Sequence, residues 1–134
     1  MVRRVVVVQN DVDVNSGLIV NVSGEKGTVS TEEKAVIASE AGCDHVVNYV
    51  NDDFRDAAVS FTNGRGVDVV YDSVGAATYE RSMASLAPLG TLVCFGNSSG
   101  PVPPIDPLML TKMGSLFLTR PTMSHYVATR DMYV

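Results

Sequence analysis

Cysteine is scarce in this sequence. Cys43 and Cys94 stand far apart, with no C-x-x-C spacing and no histidine pair nearby. That pattern argues against a disulfide framework or a metal site and points to a reducing compartment. Cys94 lies inside an apolar run and reads as a small buried hydrophobe. Long apolar runs are missing too, since none approaches the roughly 18 residues that a membrane span needs. The start, MVRRVVVVQNDVD, places basic residues before four valines, but the run is too short for a signal-peptide core and acids follow it directly. These features lead us to expect a cytoplasmic protein. Basic residues are outnumbered, 10 Lys and Arg against 15 Asp and Glu, for a net charge of −5. A nucleic-acid or anionic-membrane surface needs clustered cations, so neither is expected, although a single local anion site is compatible with this balance.

With 134 residues, 46% apolar and 19% charged, the chain suits one soluble domain with a real core. From Thr28 onward, strand-like and helix-like segments alternate. Ser30 and Glu33 form a Ser-x-x-Glu capping pattern at the head of STEEKAVIASEAG, and Gly42 stands where a helix-ending glycine belongs. HVVNY is a short β-branched and aromatic strand. Asn51 is placed to cap a helix in which Phe54, Ala58 and Phe61 recur at helical spacing, and NGRG ends it. VDVVYDSVG has the nearly unbroken apolar character of a strand covered on both faces. Tyr79, Met83 and Leu86 mark one face of the next helix, stopped by Pro88 and Gly90. TLVCF is another buried strand, GNSSGPVPPIDP a loop, Leu108 to Met113 a short helix and SLFLT a last strand; the tail reads as an opening helix.

Such alternation predicts βα units and a doubly wound parallel α/β sheet. The first 24 residues fit it less well. VRRVVVV and GLIVNV each read as a strand, but the turn-rich QNDVDVNSG between them suggests a hairpin. Residues 1–24 are expected to supply replacement strands that cover an exposed sheet edge.

In open parallel sheets, ligands bind outside the carboxyl ends of the strands. Those ends carry Ser30 and Thr31, then Asn48 and Tyr49, then DSVG at 72–75, then FGNSSG at 95–100. Small polar residues are common in any one loop, but four such ends on one rim point to a ligand. Lys34 is the sharpest single residue. It falls in the first turn of its helix, where the helix dipole disfavours a cation unless an anion is bound there. The acid that selects NAD at the end of the second strand is missing, so a 2′-phosphate would meet no repulsion. Ser30 and Thr31 offer hydrogen bonds to it, and Tyr49 can stack or donate. Glu32 and Glu33 fit only if they cap the helix or point outward.

The segments GTVSTEEKAVIASEAGCDHVVNY, GRGVDVVYDSVG, LAPLGTLVCFGNSSGPVPPIDP and GSLFLTRPT resemble the nucleotide-binding domain of NADPH-dependent quinone oxidoreductases, the zeta-crystallin-like, zinc-free branch of the medium-chain dehydrogenase/reductase superfamily. The similarity runs in order from about Gly27 to Arg130. It implies a Rossmann-like sheet, with residues 1–26 as an atypical N-terminal segment and residues 27–134 as a partial NADP-binding domain, incomplete at its first βα unit. It further implies that Lys34 and Tyr49 contact the adenosine 2′-phosphate of NADPH, and that Ser73, Phe95, Gly96 and Asn97 line the cofactor near its nicotinamide. A quinone is the implied substrate, and a homodimer through the edge strand near Ser115 to Arg120 the implied assembly, which would also cover an aggregation-prone edge.

Departures from the family pattern are equally specific. No G-x-G-x-x-G turn is found, because GRGVDV lacks the third glycine and precedes a strand. Set against the resemblance, this chain is expected to lack the family's GroES-like catalytic domain and its C-terminal return. A truncated gene product, a partial chain or a shifted upstream reading frame would each give this pattern. Catalysis in the family leans on cofactor positioning, so no catalytic residue is named, and His45 and His125 read as structural or surface groups. The expectation is the cofactor-binding part of an NADPH:quinone reductase, inactive alone; the alternative is a non-catalytic dimerising α/β module that binds nucleotide weakly or not at all.

Overall fold

A computed structural model describes residues 6–9, 25–40, 43, 45–48 and 50–128. Six strands and five helices are present among them. In chain order they are β1 (Val6–Gln9), β2 (Glu25–Val29), α1 (Glu32–Glu40), β3 (His45–Asn48), α2 (Phe54–Phe61), β4 (Val67–Asp72), α3 (Tyr79–Ala84), β5 (Leu86–Cys94), α4 (Pro107–Lys112), β6 (Phe117–Thr119) and α5 (Met123–Tyr126).

All strands pair in parallel in a single sheet of order β3-β2-β1-β4-β5-β6. That is the six-strand order of the doubly wound dinucleotide-binding fold, and the order reverses between β1 and β4. Right-handed crossovers running in opposite directions from that point put α1 and α3 on opposite faces of the sheet. Accordingly α1 packs on β2 and β3, α3 packs on β4 and β5, and α2 touches α3 and β3.

The N-terminal segment behaves differently from expectation. Val6–Gln9 does not cover a sheet edge but lies inside the sheet, between β2 and β4. Both of its edges are therefore taken, leaving none for a hairpin partner. GLIVNV at 17–22, the other expected strand, lies outside the described residues. So does most of the β1–β2 connection, where the first βα unit was expected to be incomplete. The expected boundary between residues 26 and 27 falls within β2, which takes in Glu25 and Lys26 despite their polarity.

Three helix and strand limits also moved. Asp53 rather than Asn51 caps α2, its carboxylate accepting from the Arg55 N–H at 2.9 Å. Leu86 does not continue α3. The helix ends at Ala84, Val67 N–H bonds to Ser85 O at 2.9 Å, and β5 runs through Pro88 and Gly90. This costs an irregular register between Val67 and Val69 and a left-handed Leu89 (φ 64°), held by its N–H on Gly114 O at 2.8 Å. Asp106 caps α4 through Leu108 N–H at 2.9 Å, with Pro107 in the first turn, where a missing N–H costs nothing.

The main core lies around β4, β5 and α3. Val67, Val70, Met83 and Leu92 are fully enclosed, and Ala58, Leu86, Cys94 and Leu116 complete the cluster. It supports the carboxyl ends of β4 and β5 from below. Met83→Ala is expected to lower stability by about 2–5 kcal/mol, and Leu108→Ala, on an exposed side chain, by less than about 0.5 kcal/mol. Urea denaturation checks both; equal losses would contradict this placement of the core.

Candidate cofactor-binding site

The carboxyl ends of β2, β3, β4 and β5 form one rim, as the strand polarity requires. At β2 the helix cap sits one residue later than the sequence pattern suggests. Thr31, not Ser30, caps α1: its Oγ1 accepts from Lys34 N–H at 3.2 Å, and its carbonyl accepts from Ala35 N–H at 3.1 Å. Ser30 therefore meets the lysine side chain instead, its Oγ accepting from Lys34 Nζ at 3.2 Å. The half-buried ammonium is turned back to the strand end rather than out along the helix. Asn48, at the end of β3, donates through Nδ2 to Glu32 Oε1 at 3.0 Å. This bond occupies one of the two acids beside the lysine; Glu33 is exposed. Tyr49 lies outside the described residues. Thr28, buried in β2, has an Oγ1 with no hydrogen-bond partner among the described residues.

At β4 the chain turns over a buried carboxylate. Asp72 Oδ1 accepts from Val74 N–H at 2.8 Å and Gly75 N–H at 3.0 Å. Thr78 Oγ1 lies 2.9 Å from Oδ2, and Ser82 Oγ donates to Oδ2 at 2.6 Å. Asp72 is absent from the sequence-based candidates. The signal available was an acid closing an apolar strand, followed by hydroxyls at Thr78 and Ser82.

The β4 turn and the loop after β5 are joined along their backbones. Phe95 N–H bonds to Asp72 O at 2.9 Å, Ser98 N–H to Ser73 O at 3.1 Å, and Ser99 N–H to Val74 O at 2.8 Å. Ser99 Oγ adds bonds to Val74 O at 2.6 Å and from Ala77 N–H at 3.0 Å. Only glycine permits this approach at two positions. A Cβ on Gly96 would lie 2.7 Å from Ser73 O, and one on Gly75 (φ 89°) would strike Gly100 O. Asn97 Oδ1 accepts from Arg120 NH2 at 3.0 Å, which ties the loop to the end of β6. Phe95 meets Tyr71 edge-on, with ring centroids 6.5 Å apart.

Ser73, Phe95, Gly96 and Asn97 are thus brought together, and Ser30, Thr31 and Lys34 form a second group. Three strand spacings separate β2 from β5, about 14 Å, a span suited to an extended dinucleotide. The carboxyl end of β1 lies between the two groups, and residues 10–24, which follow it in the chain, lie outside the described residues. Beside Asn97 a cleft of about 330 Å³ is lined by Cys94, Gly96, Val102, Leu118 and Arg120 among others. Burial, and after it the Asp72 carboxylate, pushes the Cys94 thiol up, with Arg120 opposing. Cys94 thus stays a protonated wall group. His45 stacks on Phe61 with centroids 4.6 Å apart, at the amino end of β3 and away from the rim, and His125 is exposed in α5.

Comparison with known proteins agrees with this geometry. Residues 26–132 match the family described as zinc-binding dehydrogenase. The chain is 47% identical over 106 residues to a 2-haloacrylate reductase of a Burkholderia species, covering 78% of this chain and 32% of that protein. It is 45% identical over 105 residues to quinone oxidoreductase 1 of Escherichia coli K12, with the same coverage of 78% and 32%. It thus spans about a third of the length of these relatives. The crystal structure of Escherichia coli quinone oxidoreductase complexed with NADPH superposes with a TM-score of 0.83 at 34% identity, covering 96% of this chain and 41% of that one. Among the described residues no three His, Cys, Asp or Glu side chains converge as metal ligands, so their donor set does not fit the zinc of the family's description. The sheet order, the joined β4 and β5 loops and the match over residues 26–132 have one conclusion: the chain belongs to the zinc-binding dehydrogenase family and is homologous to quinone oxidoreductases.

Proposed function

We propose that this chain is the cofactor-binding part of an oxidoreductase that passes hydride from NADPH to a quinone, with residues 27–134 as its partial NADP-binding domain. The observation that carries the reading is the Lys34 ammonium folded onto Ser30 Oγ at the end of β2. No acid occupies that strand end, and Asn48 engages Glu32. Ser30, Thr31 and Lys34, joined by Tyr49 from the end of β3, hold the 2′-phosphate. Ser73 and the Phe95–Gly96–Asn97 backbone bound the nicotinamide half, where Gly96 and Gly75 let the two loops that form this wall approach closely. NADPH supplies the hydride when bound. The protein residues named here bind and orient, and no catalytic residue is assigned.

The absence of a G-x-G-x-x-G turn favours a second reading, a non-catalytic dimerising α/β module that binds nucleotide weakly or not at all. Fluorescence titration with NADPH and NADH separates the two. A charge-assisted contact is worth about 1.5–3 kcal/mol, so NADPH should bind at least about tenfold tighter than NADH, and Lys34→Ala should remove that preference. Failure of the wild-type chain to bind either nucleotide would leave the module reading standing.

The proposed assembly is a homodimer through β6. This is the last strand of the sheet, and Phe117 and Leu118 are exposed on it. An unpaired apolar edge is a template for a second copy. We place the protein in the cytoplasm, on the support of its sparse cysteines, Cys43 and Cys94, which stand far apart with no C-x-x-C spacing; no helix among the described residues is long and apolar enough to cross a membrane. Sedimentation should show a dimer that Phe117→Lys converts to monomer. A wild-type monomer would refute the edge assignment.

A further inference from the structure

Asp72 closes β4, next to the point where the strand order reverses, and it is completely buried, as are Thr78 and Ser82. Its carboxylate gathers donors from two places. The N–H groups of Val74 and Gly75 fold the chain back over it, and the hydroxyls of Thr78 and Ser82 bring in the start of α3. With all these donors pointed inward, the carboxylate is not itself a face of the crevice. The backbone it holds is. The carbonyls of Asp72, Ser73 and Val74 accept in turn from Phe95, Ser98 and Ser99. The loop carrying Gly96 and Asn97 is therefore laid against a turn whose shape the carboxylate sets, at the closeness that Gly96 permits.

We infer that Asp72 is a positioning residue for the cofactor: its buried carboxylate fixes the 73–75 turn and, through it, the Gly96–Asn97 wall, so that this side of the crevice is built before the ligand arrives. The inference rests on the NADPH reading for its function, but its physical content does not need the ligand. A burial role alone would make Asp72 matter to stability and nothing else. A positioning role makes the 95–100 loop lose order selectively when the carboxylate is removed. Asparagine keeps one oxygen for both turn N–H groups, and the two hydroxyls can rotate to accept from its amide. Alanine keeps no acceptor.

The test combines hydrogen exchange with NADPH titration on the whole chain, at a temperature where circular dichroism shows each variant folded. In Asp72→Ala the Ser98 and Ser99 amides should exchange at least about tenfold faster and NADPH should bind at least about tenfold more weakly. Asp72→Asn should recover most of both. Ala58→Gly, which loosens the fold from α2, should change neither. If Asp72→Ala does not fold, Thr78→Val against Thr78→Ser carries the same comparison, with faster exchange expected only for valine. Unchanged protection at Ser98 and Ser99 beside a lowered melting temperature would overturn the inference, as would equal effects from Ala58→Gly. A wild-type chain that binds neither nucleotide would refute the cofactor reading, and the exchange result would then decide alone whether Asp72 holds the wall.

Discussion

A carboxylate taken out of water must be met by donors or it destabilises the fold that buries it. At Asp72 this constraint organises the centre of the molecule. The two oxygens accept from the 74–75 backbone and from the hydroxyls of Thr78 and Ser82. The turn, the start of α3 and the end of β4 are consequently one unit. The loop after β5 then rests on that unit through four backbone hydrogen bonds and two glycine contacts. Backbone bonds between the turn and the loop hold this side of the crevice in one shape, which suits binding by preorganisation.

The other half of the crevice uses a different device. At β2 a cation is placed where the helix dipole opposes it, and its ammonium donates to the Ser30 hydroxyl. Asn48 draws one competing acid toward β3. This arrangement supports the proposed anion site in a chain whose overall charge is negative. The two halves sit on either side of β1, and the order β2-β1-β4-β5 spaces them for a ligand with two ends.

Much of this was legible in the sequence, for reasons that can be stated. Nearly unbroken apolar runs such as VDVVY and TLVCF, separated by helical spacing, specify parallel strands covered on both faces, and the carboxyl ends follow from strand polarity. What escaped depended on choices among similar neighbours or on contacts that only the fold closes. Ser30 and Thr31 are both competent caps; Thr31 takes the role and leaves Ser30 facing Lys34. Asp53 displaces Asn51 in the same way at α2. Leu86 fits the helical spacing of Tyr79 and Met83, yet Ser85 ends the helix and Leu86 reaches the same core from β5. The four valines at 5–8 look like half of a hairpin because the turn-rich segment after them is local information. The central place of Val6–Gln9 is set by β2 and β4, which supply both edges. The role of Asp72 was hidden because its partners, at 74, 75, 78 and 82, meet its carboxylate only when the turn and the start of α3 form.

The central claim is that this rim selects a 2′-phosphate at the β2–α1 junction. The most direct measurement is an amide chemical-shift titration with adenosine 2′,5′-bisphosphate, repeated with adenosine 5′-monophosphate. The account predicts saturable shifts at Ser30, Thr31 and Lys34 with the bisphosphate, much weaker shifts with the monophosphate, and little change at Gly96 and Asn97 with either. Equal responses to the two nucleotides, or shifts confined to residues away from β2 and α1, would contradict it.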